Sequence, residues 1–235
     1  MIFNGIEKNS LIEWPGKVSA VLFLGGCSFR CPFCYNSGLV LDPTKLPSFS
    51  EKKALNFLEK RKKFLDGVMI TGGEPLLEVR VEELIEFIKK VKEFGLLVGL
   101  ETNGSNPKAL AKLLKEKLLS YVAMDIKAPL TSKDYGKLTG VKIDIKKIKR
   151  SIGLIKNSSI DYEFRTTVAP LLTEKDILQM ATALKGVKKF ALQVFRPVDS
   201  LINPNLAKMK FFSREELEEI GQKIKENFKK FEIRG

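Results

Sequence analysis

Short β-rich runs alternate with amphipathic helical stretches along nearly the whole chain, and this alternation restricts the fold more than any other feature. Runs rich in β-branched and aromatic residues predict strands over 18–24, 67–71, 96–101, 121–125, 161–168 and 189–195. The stretches between and after them predict helices over 50–64, 81–94, 107–117, 144–156, 173–184 and 213–229. In the second helix, Val81, Leu84, Ile85, Ile88 and Val91 recur at helical spacing. Ser48 and Glu51 have the spacing of a capping box ahead of the first. Six β–α units argue for a parallel sheet wrapped by helices, and right-handed crossovers would curve the units toward a barrel. Six are too few to close an eight-fold barrel. The expected fold class is therefore α/β: a partial (β/α)6 TIM-like barrel with parallel strands and an open lateral side. A doubly wound open sheet is the alternative, weakened because no G-x-G-x-x-G follows the first strand. One domain is expected over 1–235, with an N-terminal extension (1–17), six β/α units (18–229) and a tail (230–235).

The three cysteines of the chain, Cys27, Cys31 and Cys34, fall within eight residues in a C-x3-C-x2-C run directly after the first strand. Three thiolates can hold three corners of a cubane iron–sulfur cluster, which normally takes four cysteines. The fourth iron would then be open to a substrate or cofactor. Structural zinc is the rival, but it wants four Cys or His ligands, and the chain has no histidine. That absence also removes Ser-His-Asp and Cys-His catalysis. The other unusual residues fall at strand ends: Gly72-Gly73-Glu74-Pro75 after the second strand, Glu101-Thr102-Asn103-Gly104 after the third, Asp125-Ile126-Lys127 at the end of the fourth, Arg165 late in the fifth and Gln193 late in the sixth. In βα barrels the site lies at the C-terminal ends of the strands, so these elements should converge on one mouth. Each also has a plainer reading. The glycines could only make a turn, Thr102 and Asn103 could cap a helix or form an Asx turn, Asp125 and Lys127 could form an internal salt bridge, and Arg165 could pair with Glu163 or Asp161. Two adjacent glycines would also leave C=O and N–H groups free for a ligand's amine.

The net charge is +13, from 41 Lys plus Arg against 28 Asp plus Glu. The basic residues are mostly Lys set among Glu on helix faces, which resembles a hyperthermophile surface; nucleic acid is not the expected partner. No apolar run approaches the ~18 residues of a membrane span, and residues 1–5 lack the marks of a signal peptide. The expectation is a cytoplasmic protein, where clustered cysteines bind metal rather than form disulfides.

C-x3-C-x2-C followed by an aromatic residue, then GGEP one unit later, resembles the radical S-adenosylmethionine superfamily. The segment from Ser10 to Phe23, with Cys34-Tyr35-Asn36, Glu101-Thr102-Asn103-Gly104 and Met124-Asp125-Ile126-Lys127, is similar to the glycyl-radical-enzyme activating proteins, in particular those of anaerobic ribonucleoside-triphosphate reductase. The resemblance implies that Cys27, Cys31 and Cys34 bind a [4Fe-4S] cluster whose open iron chelates S-adenosylmethionine. It places Gly72, Gly73 and Glu74 at the cofactor's amine, Phe33 and Tyr35 near its adenine, and Thr102, Asn103, Asp125, Lys127, Arg165 and Gln193 around the rest. It also implies a monovalent cation held by Glu101, Thr102 and Asp125. Reductive cleavage would give a 5′-deoxyadenosyl radical that takes hydrogen from a glycine of a partner glycyl radical enzyme. A flavodoxin or ferredoxin-like protein would donate the electron. The rivals are a pyruvate formate-lyase activator, 7-carboxy-7-deazaguanine synthase, and a non-catalytic electron-transfer or RNA-binding iron–sulfur protein.

Overall fold

The computed structural model describes residues 1–235. Its main sheet has eight strands: β2 (Gly5–Ser10), β3 (Ser19–Leu24), β5 (Gly67–Gly72), β6 (Leu97–Thr102), β7 (Tyr121–Asp125), β8 (Asp161–Val168), β9 (Lys189–Val194) and β10 (Lys230–Arg234). From β3 to β10 neighbouring strands are parallel and follow chain order, while β2 joins the outer edge of β3 antiparallel. A two-stranded ribbon, β1 (Ile2–Phe3) with β4 (Phe49–Ser50), stands apart. Strand order that never reverses sets aside the doubly wound alternative, which needs a switch point. β2 and β10 do not pair with each other, so the sheet curves as a partial barrel with a lateral gap.

Alternation along the strands separates two environments. Ala20, Leu22, Val68, Ile70, Val98, Leu100, Phe164 and Leu192 belong to one large apolar core with the helices, the continuous burial typical of a helix-covered parallel sheet. The helices are α1 (Ser37–Leu41), α2 (Glu51–Arg61), α3 (Val81–Glu93), α4 (Pro107–Lys115), α5 (Ser132–Thr139), α6 (Ile145–Lys156), α7 (Glu174–Ala183) and α8 (Arg214–Ile224). The opposite set faces the barrel interior. Val21, Met69, Tyr121 and Ala123 form a small cluster with Trp14. Trp14 stacks on Tyr121 with ring centroids 5.3 Å apart, and it fits because Gly99 has no side chain; a Cβ there would lie 3.0 Å from the indole.

Several expectations change here. Residues 1–17 supply an edge strand and the Trp14 plug. The segment 230–235, expected only as a tail, carries an edge strand in which charged residues alternate. In β10 that alternation turns Phe231 and Ile233 toward α8 and brings Arg234 to Glu163 on the interior side. The cap of α2 is Ser50, which accepts from the Lys53 N–H at 3.4 Å, not the pair Ser48 and Glu51. Helix α5 was not expected, although its signals are in the sequence: Thr131 accepts from the Asp134 N–H at the start, and Gly140 ends it at φ 68°. Many surface lysines pair with glutamates, as Lys112 does with Glu82 and Lys223 with Glu174. No helix is long and apolar enough to cross a membrane.

Trp14→Ala should destabilise the cluster-free protein by about 3–5 kcal/mol, the usual range for an aromatic emptied from a core. Denaturant unfolding measures it; a change within about 0.5 kcal/mol, as at an open surface site, would show that the plug does not brace the interior.

Candidate active site

A cavity of about 610 Å³ opens at the C-terminal ends of the strands, and Cys27, Cys31 and Cys34 all line it. Their loop is fixed by backbone bonds from Gly26 N–H to Leu39 O, Arg30 N–H to Thr139 O and Asn203 N–H to Pro32 O. The Cys34 N–H donates to Cys31 O at 3.0 Å, a turn that draws these two together. No disulfide joins the three cysteines. Burial pushes Cys27 up to about 11 and Cys31 up to about 12, and raises Cys34 as well. Ligation must therefore displace protons from three sheltered thiols. No three Cys, Asp or Glu side chains converge as a single-ion site. Three thiols on one loop at a roomy mouth suit a cluster, whose irons each take one thiolate.

The GGEP turn is packed directly against this loop. Gly73 N–H donates to Leu24 O and Glu74 N–H to Gly26 O, both at 2.8 Å. A Cβ on Gly73 would stand 2.0 Å from Gly26 O, and one on Gly72, at φ +125°, 2.2 Å from Leu24 O. Gly72 and Gly73 line the cavity as expected, but those two N–H groups are not free for a ligand. The Glu74 side chain departs further from its expected place. It is fully buried behind the wall. It accepts from Thr102 Oγ1 at 2.8 Å, Leu76 N–H at 2.9 Å and Asn103 N–H at 2.7 Å. Burial pushes its carboxyl up while these bonds pull it down, and the net direction is upward. Glu74 thus holds the turn after β6; the buried carboxylate is spent on the protein's own donors.

Thr102, Asn103, Asp125, Lys127, Arg165 and Gln193 all line the cavity. Arg165 spans two strands, donating from Nη1 to Glu101 Oε1 at 2.6 Å and from Nε to Asp125 Oδ1 at 3.0 Å. Lys127 Nζ donates to Asp125 Oδ2 at 2.9 Å, and Thr71 Oγ1 to Glu101 Oε2 at 2.6 Å. Burial would raise Asp125, but Lys127 and Arg165 outweigh it and hold the carboxyl at about 2. The monovalent cation was expected between Glu101, Thr102 and Asp125, three residues that have protein partners here. The Arg165 guanidinium already bridges the two carboxylates, and the Thr102 hydroxyl is turned to Glu74. Arg165 does not pair with Glu163 either, since that carboxylate takes Arg234 at 2.7 Å and Lys189 at 3.1 Å.

Phe33 and Tyr35 also face the cavity. Lys127 Nζ sits 5.8 Å from the Phe33 ring centroid. The Tyr35 hydroxyl accepts from the Arg196 N–H at 2.7 Å, tying the cysteine loop to the end of β9. Gln193 Oε1 accepts from Thr167 Oγ1 at 3.3 Å. Sequence reasoning missed Glu13, which lines the cavity and lies 3.7 Å from Arg165; its signal was membership of the entry segment. It also missed Arg80, which donates from Nη2 to Gly25 O. Nothing in the local pattern around Arg80 marks it.

Fold and site together define an enzyme class: a partial α/β barrel whose mouth carries a three-cysteine cluster loop. The chain belongs to the radical SAM superfamily, whose family description matches residues 21–184. It is 34% identical over 225 residues to a protein of Methanocaldococcus jannaschii provisionally named a glycyl-radical enzyme activating enzyme, covering 94% of this chain and 90% of that one. A pyruvate formate-lyase-activating enzyme of Listeria monocytogenes is 30% identical over 136 residues, 53% of this chain and 52% of the relative. Among solved structures, methylornithine synthase aligns with a TM-score of 0.61 at 13% identity, covering 91% of this chain and 70% of that one. TYW1 with a lysine-pyruvate adduct aligns at 0.59 and 15%, covering 89% and 74%. Both show the fold. The superfamily's cofactors are a [4Fe-4S] cluster and S-adenosylmethionine, and Cys27, Cys31 and Cys34 fit the cluster motif.

Two variants probe the polar floor. Glu74→Ala leaves the buried Thr102 and Asn103 donors without their acceptor and should cost about 1–3 kcal/mol or more; an unchanged denaturation midpoint would contradict the clamp. Glu13 is raised to about 7 by burial and by the like charge of Glu101. A carboxyl raised on folding stabilises below its unfolded value and loses that contribution as pH rises through 7. Glu13→Gln should therefore be more stable than the parent at pH 8 and indistinguishable near pH 4, read by unfolding at both values.

Proposed function

We propose that the protein installs a glycyl radical on a partner enzyme, and that the partner is anaerobic ribonucleoside-triphosphate reductase. The observation that carries the first part is near full-length similarity to a protein named as a glycyl-radical enzyme activating enzyme. For the second, the support is the entry segment 10–23, whose Glu13 reaches the cavity beside Arg165. The lateral gap between β2 and β10 suits a protein loop as substrate.

Cys27, Cys31 and Cys34 would hold the cluster, and the Gly72–Gly73 wall would receive the cofactor's amine. Bound together, the reduced cluster and S-adenosylmethionine supply a 5′-deoxyadenosyl radical for hydrogen abstraction. The chain's own residues do the rest. Lys127 and Arg165 present fixed positive charge toward the mouth, where an amino-acid carboxylate would be oriented. Phe33 and Tyr35 give apolar faces for a base. Buried Phe29 and Phe33 help keep water from the cysteine side. No side chain has to move a proton, which agrees with a chain that lacks histidine. A flavodoxin or ferredoxin-like protein would deliver the electron, in a reducing compartment such as the cytoplasm, where clustered cysteines bind metal rather than form disulfides.

A second reading, pyruvate formate-lyase activation, is favoured by the similarity over 136 residues to an enzyme of that name. Anaerobic incubation of the reconstituted protein, S-adenosylmethionine and a reductant with each candidate partner separates them. A glycyl electron-paramagnetic-resonance doublet on the reductase alone supports the proposal. A doublet only on pyruvate formate-lyase, or on neither, overturns it. Cys31→Ala should lose the doublet and most of its cluster iron; a variant with full iron content would contradict the ligand assignment.

A further inference from the structure

Asn103 was expected beside the bound cofactor, but its bonds aim it at the cysteine loop. The residue is buried, 6% exposed. Glu74 Oε2 accepts its backbone N–H at 2.7 Å, which fixes the main chain. Its side-chain Oδ1 accepts from the Ser105 N–H at 2.9 Å, which fixes the amide, because the reverse orientation would set two donors against each other. The donor end, Nδ2, therefore faces Cys27 Sγ at 3.7 Å and Ser28 Oγ at 3.2 Å. Ser28 Oγ lies 2.9 Å from Ser105 Oγ, so the two loops are stitched on both sides of the amide. Cys27 Sγ also accepts from the Phe29 N–H at 3.3 Å. Of the three cysteines, it is the one with a side-chain donor.

We propose that Asn103 is a positioning residue for the cluster, donating from Nδ2 to the Cys27 thiolate and so raising the cluster's reduction potential. The inference rests on the assignment of a [4Fe-4S] cluster to this loop. Hydrogen bonds to cluster sulfurs are among the terms that set such potentials. One added electron makes the cluster more negative, so a fixed N–H dipole at a sulfur stabilises the reduced form more than the oxidised form. Reduction by an outside one-electron donor is thereby favoured.

The test is an electron-paramagnetic-resonance redox titration with viologen mediators, comparing the reconstituted parent with Asn103→Asp. This variant keeps volume and the oxygen that serves Ser105, but replaces the donor by an anion. The expected result is full iron content with at least a tenfold smaller equilibrium constant for reduction, about 59 mV lower for one electron. Asn103→Leu should shift the same way by less. Unchanged potentials at full iron content overturn the proposal. If Asn103→Asp does not hold the cluster, pulsed resonance on parent protein carrying side-chain ¹⁵N-asparagine decides. A ¹⁵N coupling to the reduced cluster supports the donor, and no coupling overturns it. If the parent itself assembles no cluster, the cluster assignment fails instead, a different outcome.

Discussion

The cysteine loop reaches the barrel mouth because two residues beside it have no side chains. Leu24 O and Gly26 O lie where the Cβ atoms of Gly72 and Gly73 would stand, and the same carbonyls accept the N–H groups of Gly73 and Glu74. Contact this close between two backbones makes the first two strand-end loops one unit. The third joins through Glu74, whose buried carboxylate gathers Leu76, Thr102 and Asn103. The three cysteines are therefore held by backbone and by one buried carboxylate before any metal arrives. Such preorganisation limits the reorganisation that ligation requires.

Charge is arranged with similar economy of groups. The interior carries Glu101, Asp125, Arg165 and Lys127 near the mouth and Glu163, Lys189, Glu232 and Arg234 along β8, β9 and β10. Buried ions need partners to offset desolvation, and each of these has at least one. Arg165 stands between two carboxylates, so its guanidinium stays charged and its plane is fixed. A cofactor carrying both a carboxylate and a cationic centre would meet a floor of fixed, paired charges rather than one that must rearrange.

Much of this was legible in the chain. Six of the seven parallel strands follow from β-rich runs bounded by turns, and β7 and β8 start and stop where the pattern does. Cys27, Cys31 and Cys34 were readable because three soft ligands in eight residues have few other uses. The edge elements were not. β10 is short and half charged, and its charges make sense only once Glu163 and Lys189 are seen opposite. The sequence placed Glu74 and Asn103 near the right loops but did not reveal their bonding partners, since those contacts cross between the ends of β3, β5 and β6. The Arg165 bridge was hidden for a similar reason: a strand-end carboxylate pair looks the same in one dimension whatever spans it.

The central claim is that this loop and cavity cleave S-adenosylmethionine reductively. Its most direct measurement is product analysis after anaerobic incubation of the reconstituted, dithionite-reduced protein with S-adenosylmethionine. The account predicts 5′-deoxyadenosine and methionine in equal amounts, dependent on both cluster and reductant. A full complement of cluster iron with no 5′-deoxyadenosine would contradict it.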